Sequence, residues 1–327
     1  MKKNNSLTQI KQIIDQSNNL LIVSHILPDG DNIGSVLGLS MCLQAMGKKV
    51  TAVANGAIPK YYEFLPNVEI LISPENVAKD KYDLVIALDM SDCGRGGNNF
   101  DFIWQGYTIL NIDHHISNDF FGDYNYVQPE AAATAQILTE ILLNCAYPIT
   151  TDIATDFYVG ILTDSGNFTY SSTSDKTLSL AAELLKYNPD LMAIRMNVFE
   201  NVSFKRKKIL GKALVNAKEI EPRNIVYSTL NYEECQELEA EGQDFEGIID
   251  HLIGVTDIRM GIFFREMEKN IIKVGFRGKP GVDVTVVAGE FGGGGHKAAG
   301  GCTVEATMEN AVERVISLAV DYMESGI

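Results

Sequence analysis

No apolar run in this chain approaches the ~18 residues that a membrane span requires. Cysteine is scarce and unpaired: Cys42, Cys93, Cys145, Cys235 and Cys302 are odd in number, far apart and free of C-x-x-C spacing. That excludes a disulfide framework, argues against a thiolate metal site and suits a reducing compartment. Basic residues are outnumbered, 27 Lys and Arg against 43 Asp and Glu, for a formal charge of −16. Long nucleic acid is gripped by broad basic surfaces. Here bases cluster only locally, as in Lys205-Arg206-Lys207-Lys208. Duplex DNA is therefore not an expected partner, whereas a small anion held by bound cations and a few Arg or Lys is. The segment Met1–Ser6 leads into the amphipathic Leu7-Thr8-Gln9-Ile10 instead of an apolar signal core, so the expected location is the cytoplasm.

What is present is enough chain for two cores: 327 residues, 46% of them apolar. Short β-branched runs at 20–25, 49–54, 83–89 and 107–113 end at His25, Ala54, Asp89 and Asp113. Ile33–Met46 between the first two is apolar at helical spacing and closed by Gly47. This alternation predicts an α/β fold with a doubly wound, mostly parallel sheet, whose carboxyl edge carries three of the polar strand ends. Helical periodicity follows in Glu130–Asn144, Thr151–Leu162, Asp175–Tyr187 and Leu191–Lys218. Strands at Ile225–Leu230, Ile258–Glu266, Ile271–Arg277 and Cys302–Glu305, with helices near Val282–Glu290 and Met308–Met323, predict a smaller α+β domain. The expected division is an α/β domain over 1–190, a helical linker over 191–218 and the smaller α+β domain over 219–327.

Metal-seeking side chains concentrate in three segments. In His25-x-x-Pro28-Asp29-Gly30-Asp31 a loop leaving a strand can fold an imidazole and two carboxylates to one point. Asp29 and Asp31 could each face one of two adjacent cations, and Gly34-Ser35 could offer helix N–H groups to a phosphate. A simple Asx-rich turn is the bland alternative. Asp113-His114-His115 places two imidazoles at a strand end, one able to bind metal and one to face substrate, with Asp113 steadying a ring. Asp164 ends a helix, where it opposes the dipole unless a cation compensates. Asp89, at the same sheet edge, is the candidate bridging carboxylate, and Asp92 reads as a solvated or capping residue. Four of the five histidines fall in suspected motifs; His251 reads as an ordinary surface residue. The fourth of them is His296, in Gly292-Gly293-Gly294-Gly295-His296, whose backbone could approach an anion. Arg277 is the expected bidentate phosphate partner, with Arg265 and Lys273 as weaker candidates. Hard oxygen ligands mixed with imidazole suit paired divalent cations and phosphate-ester hydrolysis.

Together these motifs resemble the DHH phosphoesterase superfamily, in the subgroup with a C-terminal DHHA1 domain, and within it the bacterial nanoRNase/pAp-phosphatase type related to exopolyphosphatases. The resemblance spans nearly the whole chain: His25–Ser35, Asp89, Asp113–His115, Asp164 and Gly293–His296. It implies a DHH domain and a DHHA1 domain facing each other across a cleft. It also implies two Mn²⁺ ions, or Mg²⁺ in their place, one held by His25, Asp29 and Asp89, the other by Asp31, Asp89, His114 and Asp164. His115 would contact the scissile phosphate, with Asp89 and Asp113 completing the catalytic set. Arg277, His296, Gly293, Gly294, Gly295 and Ser35 would bind substrate. Thr169 departs from the pattern, standing where many relatives carry a basic residue. The implied activity is hydrolysis of short oligoribonucleotides and linear dinucleotides such as pApA, and of pAp to AMP, by a hydroxide activated between the ions. A pyrophosphatase or exopolyphosphatase, or a nucleotide-binding regulator without turnover, are the alternatives. A homodimer is compatible with the sequence and not demanded by it.

Overall fold

The computed structural model describes residues 3–78, 82–101, 103–104, 106–200 and 202–325, the side chains of Gln243 and His296 excepted. The chain forms two compact units, residues 1–201 and 202–327. In the first, α1 (Leu7–Gln16) opens on a capping box between Ser6 and Gln9. Then come β1 (Asn19–Ser24), α2 (Gly30–Ala45), β2 (Lys49–Val53), β3 (Leu71–Ile72), β4 (Leu84–Leu88), β5 (Ile109–Asp113) and β6 (Tyr124–Val127). Four helices follow: α3 (Thr134–Cys145), α4 (Thr151–Asp164), α5 (Asp175–Leu185) and α6 (Leu191–Arg195). The strand order is β3-β2-β1-β4-β5-β6, with every pairing parallel.

β4 and β5 are buried along their whole length, which is why they read as unbroken apolar runs and not as alternations. The order reverses between β1 and β4. Ligands in open α/β sheets bind outside the carboxyl ends at such a switch point. The chain leaves β1 at His25 and β4 at Asp89. Beside this edge α2 packs closely on α4, and two glycines allow it. A Cβ on Gly34 would lie 2.3 Å from the backbone oxygen of Asp156, and one on Gly160 would lie 2.9 Å from Asp31 Oδ1.

The second unit contains α7 (Phe204–Val215), β7 (Lys218–Ile220), β8 (Ile225–Leu230), α8 (Tyr232–Glu237) and α9 (Ile248–Ile253). It continues with β9 (Met260–Glu268), β10 (Ile271–Gly278), α10 (Thr285–Gly289), β11 (Gly294–His296), β12 (Ala299–Glu305) and α11 (Met308–Ser325). Its mixed sheet runs β11-β12-β10-β9-β8-β7, with β8 and β9 parallel. Ile262, Phe264, Ile272, Val274, Phe276 and Val304 alternate onto one face and pack with Val287, Ala311 and Val315 of α10 and α11.

The continuous helix expected over Leu191–Lys218 is not formed. Asp190 caps α6, a π-helical turn covers Met196–Glu200, and Ser203 caps a new helix, α7, by accepting from the Arg206 N–H. Local side-chain hydrogen bonds override the apolar period there. Likewise α2 begins at Gly30, not Ile33, because the Asp29 carboxylate accepts from the Asn32 N–H and starts the helix early. Among the described residues no helix is long and apolar enough to cross a membrane.

Candidate functional site

Asp89 occupies a left-handed backbone conformation, φ +57°, uncommon for a residue with a side chain. Its N–H still donates to Ile112 on β5, so the turn leaves the strand pairing intact while aiming the buried carboxylate along the sheet edge. Around it the structure gathers side chains from three other segments of the sequence, 25–31, 114–115 and 164. His25, Asp29 and Asp89 offer ligand atoms within 4.8 Å of one another, and so do Asp31, His114 and Asp164. Asp89 joins the two groups: Oδ2 lies 3.2 Å from His25 Nε2 and Oδ1 lies 3.4 Å from His114 Nε2.

The hydrogen bonds settle which ring atoms face inward. His25 Nδ1 lies 2.7 Å from the Ile26 carbonyl and His114 Nδ1 lies 3.3 Å from the Ala131 carbonyl. A carbonyl only accepts, so Nδ1 carries the proton in both rings and Nε2 is left for the carboxylates. Such Nε2 atoms can face carboxylates only if a proton or a cation lies between them. Without a cation, protons are retained. Burial works against the charged His114 ring, yet Asp89, Asp31 and Asp164 push its pKa up to about 10. Burial and the neighbouring carboxylates raise Asp31 well above the usual range, raise Asp29, and bring Asp164 up to about 6. Asp89 resists the same burial and is held far below it by bonds from His114 and His25. Excess carboxylate charge, oriented Nε2 lone pairs and hard oxygens fit divalent cations.

Helix termini hold the acids. The N–H groups of Thr134 and Ala135, at the start of α3, donate to Asp31 at 2.6 and 2.8 Å, and the Thr134 hydroxyl donates to Asp89 at 3.1 Å. Asp31 Oδ2, with the Thr134 N–H as its one donor, keeps a further lone pair. His115 Nδ1 lies 2.7 Å from Asp113 Oδ1, which raises the ring's pKa and leaves Nε2 on the half-buried outer side. Asp113 is in turn held by Asn118, whose amide donates to its Oδ2 at 2.6 Å and to Asn111 Oδ1 at 2.8 Å. Sequence reasoning missed Thr134 and Asn118. Asn118, three residues beyond His115, was visible as a polar residue in the same loop; Thr134 became legible only once α3 was docked. Of the two readings open to Asp92, the structure shows the cap: its carboxylate accepts from the Arg95 N–H.

Ser35 is not exposed at the site edge in the structure. It is fully buried in the second turn of α2, and its hydroxyl donates to Asp31 at 3.2 Å. The N–H groups of Gly34 and Ser35 lie inside the helix and are not free for a phosphate. In the second unit Arg277 and Gly293 line an open cavity of about 620 Å³. Gly294 and Gly295 instead pair with Gly301 and Gly300 of β12, and a Cβ on Gly295 would meet the Ala299 oxygen at 2.4 Å. Close backbone approach therefore explains Gly295. The expected role of the His296 side chain falls outside the described residues.

Comparison with known proteins agrees with this architecture. Residues 19–161 match the DHH family, N-terminal domain, and residues 222–325 match the DHHA1 domain. A bifunctional oligoribonuclease and PAP phosphatase NrnA of Thermus thermophilus is 34% identical, across 91% of this chain and 88% of that protein. The protein of the same name in Bacillus subtilis is 28% identical across 91% and 93%. Among solved structures, an exopolyphosphatase-related protein from Bacteroides fragilis superposes with a TM-score of 0.90 at 26% identity, covering 98% of this chain and 97% of that one.

Proposed function

Because the chain belongs to the DHH phosphoesterase family, with a DHHA1 domain behind the DHH domain, we propose that it hydrolyses short oligoribonucleotides and linear dinucleotides to mononucleotides, and pAp to AMP. The observation that carries this reading is the junction at Asp89, whose two oxygens face His25 on one side and His114 on the other. Two divalent cations, Mn²⁺ or Mg²⁺, held by His25, Asp29 and Asp89 and by Asp31, Asp89, His114 and Asp164, would polarise the phosphoryl group and supply a nucleophile from water.

The chain's own residues prepare that chemistry. The Ile26 and Ala131 carbonyls fix the ligand tautomers of His25 and His114. Thr134 holds Asp89 and Asp31 in register, so little reorganisation is needed when charge develops. Asp113 stabilises the proton on His115 and raises the pKa of that ring, which would offer its proton or its charge to the departing oxygen. Water adds to phosphorus, the P–O ester bond breaks, and the alcohol leaves protonated. Incubating the chain with Mn²⁺ and labelled pApA, pAp and tripolyphosphate tests the reading. Release of AMP from the first two supports it, whereas hydrolysis of tripolyphosphate alone contradicts it.

A further inference from the structure

Among the described residues of the first unit, the two most exposed large apolar side chains are Ile116, 90% exposed, and Leu27, 82% exposed. Apolar residues scattered singly over a surface are ordinary. These two are not scattered. Leu27 stands two residues after His25 and Ile116 one after His115. Both imidazoles face Asp89, at 3.2 and 3.7 Å. Successive Cα atoms are about 3.8 Å apart, so each apolar residue starts within about 8 Å of the Cα of its histidine.

Leu27 is also held against its own preference. Its φ is +60°, a region that Gly, Asn and Asp usually occupy, and a following proline favours extended backbone instead. An exposed leucine has no burial to offset that cost. The turn is imposed from outside: the Ile26 N–H donates to the Arg95 carbonyl at 2.9 Å, and Pro28 is buried. A Cβ on Gly56 would lie 3.0 Å from Pro28 Cδ and one on Gly97 3.2 Å from Ile26 Cγ2, so close backbone walls the turn twice. Ile116 is fixed too. The Asn118 N–H closes its turn on the His115 carbonyl at 3.1 Å, and the Asn118 amide is bonded to Asp113 at 2.6 Å. Two braced turns thus hold aliphatic groups in water beside the ligand cluster. Strain that the surroundings impose in this way gathers at functional sites.

We propose that Leu27 and Ile116 are apolar lips that pack against a nucleobase flanking the scissile phosphate. The inference rests on the nucleotide-hydrolase reading and adds a specificity to it, with every group named belonging to the first unit. With the phosphoryl group at the ligand cluster, the lips meet whatever that phosphate is esterified to. In polyphosphate that is more charge, which aliphatic groups serve poorly. In a nucleotide it is a nucleoside, whose flat base packs well between apolar side chains.

The test uses the full chain, Leu27→Asn and Ile116→Ser with Mn²⁺, on pApA and on an analogue with hydrogen in place of both adenines. Each variant should raise KM for pApA about fivefold or more and keep kcat within about threefold. KM for the abasic analogue should move less than about twofold, because the group that the lips hold is missing. Equal KM losses on both substrates, or none on pApA, would overturn the proposal. Where the wild-type chain leaves the analogue uncut, titration with AMP and with ribose 5-phosphate, each with Mn²⁺, decides instead. A wild-type preference for AMP that both variants lose upholds the lips; no preference, or one that the variants keep, refutes them. If the wild-type chain cuts neither substrate, the functional reading itself fails, and the same titration still decides the lips. Melting without ligand separates recognition from folding. Asn tolerates positive φ, so Leu27→Asn should match or exceed the wild-type Tm while its KM for pApA rises. A marked fall in Tm would assign Leu27 to folding instead.

Discussion

In the first unit, four aspartates crowd against three imidazoles at a sheet edge, and burial drives protons onto the cluster. In the second, Arg265 and Lys273 stand abreast beside a glycine-lined cavity that Glu246 also lines, and neither is in an ion pair among the described residues. Both arrangements are locally unfavourable, and they are unfavourable with opposite sign. The first is relieved by a cation and the second by an anion. The contrast teaches that the functional regions are those where the chain leaves its charges unbalanced, while the surrounding cores follow ordinary packing.

The comparison breaks most decisively at its first member. Asp89→Ala removes the acid common to both ligand groups, and kcat for pApA should fall by about 10³-fold or more. Retention of more than a tenth of the activity would show that the two groups act separately. Next in size is the ion's own contribution to folding. Saturation at about 100 times the dissociation constant adds about 2.7 kcal/mol, so chelator should lower Tm and Mn²⁺ should restore it. The same titration carries a pH signature. His114 sits at about 10 and Asp164 at about 6 without an ion, so binding must expel protons. Proton uptake into the cluster opposes the ion, so apparent affinity should rise as pH rises from 6 to 8, with acid release measurable in a pH-stat.

Smaller effects sharpen the contrast between site and scaffold. Asn118→Leu cuts the support of Asp113 and should lower kcat about 10–100-fold with Mn²⁺ stoichiometry unchanged. Loss of bound metal in that variant would place Asn118 in ion binding instead. The smallest effect concerns Asp156 on α4, fully buried, with neither carboxylate oxygen hydrogen-bonded among the described residues. Burial, with Asp152 adding to it, raises its folded pKa well above the ordinary value. Its neutral form is therefore the one that folding favours. That contribution is complete below the unfolded pKa and is lost as pH climbs toward the folded one. Asp156→Asn stays neutral throughout, so its Tm advantage over wild type should be larger at pH 8 than at pH 5. A pH-independent difference would contradict the assignment.

Much of this was legible in the residues. β1, β4 and β5 read directly because strands buried on both faces leave unbroken β-branched runs. His25, Asp29, Asp31, Asp89, His114 and Asp164 read because polar groups ending such runs have few other uses, and the structure brings all six together. A helix start was expected at Gly34-Ser35, whereas Asp29 caps α2 earlier and the Ser35 hydroxyl is buried. Thr134 was silent because its contacts with Asp31 and Asp89 cross 103 and 45 residues. Short elements such as β3, β11 and α9 carry too few residues to show a period. Arg265 and Lys273 ranked below Arg277 on sequence position alone; only strand register reveals that they are opposed.

Anomalous diffraction at the manganese edge from crystals soaked in Mn²⁺ addresses the central claim directly. Two peaks should be found, one contacting His25, Asp29 and Asp89 and the other contacting Asp31, His114 and Asp164, with Asp89 touching both. Absence of any peak at Asp89, or manganese bound only elsewhere on the chain, would contradict the account.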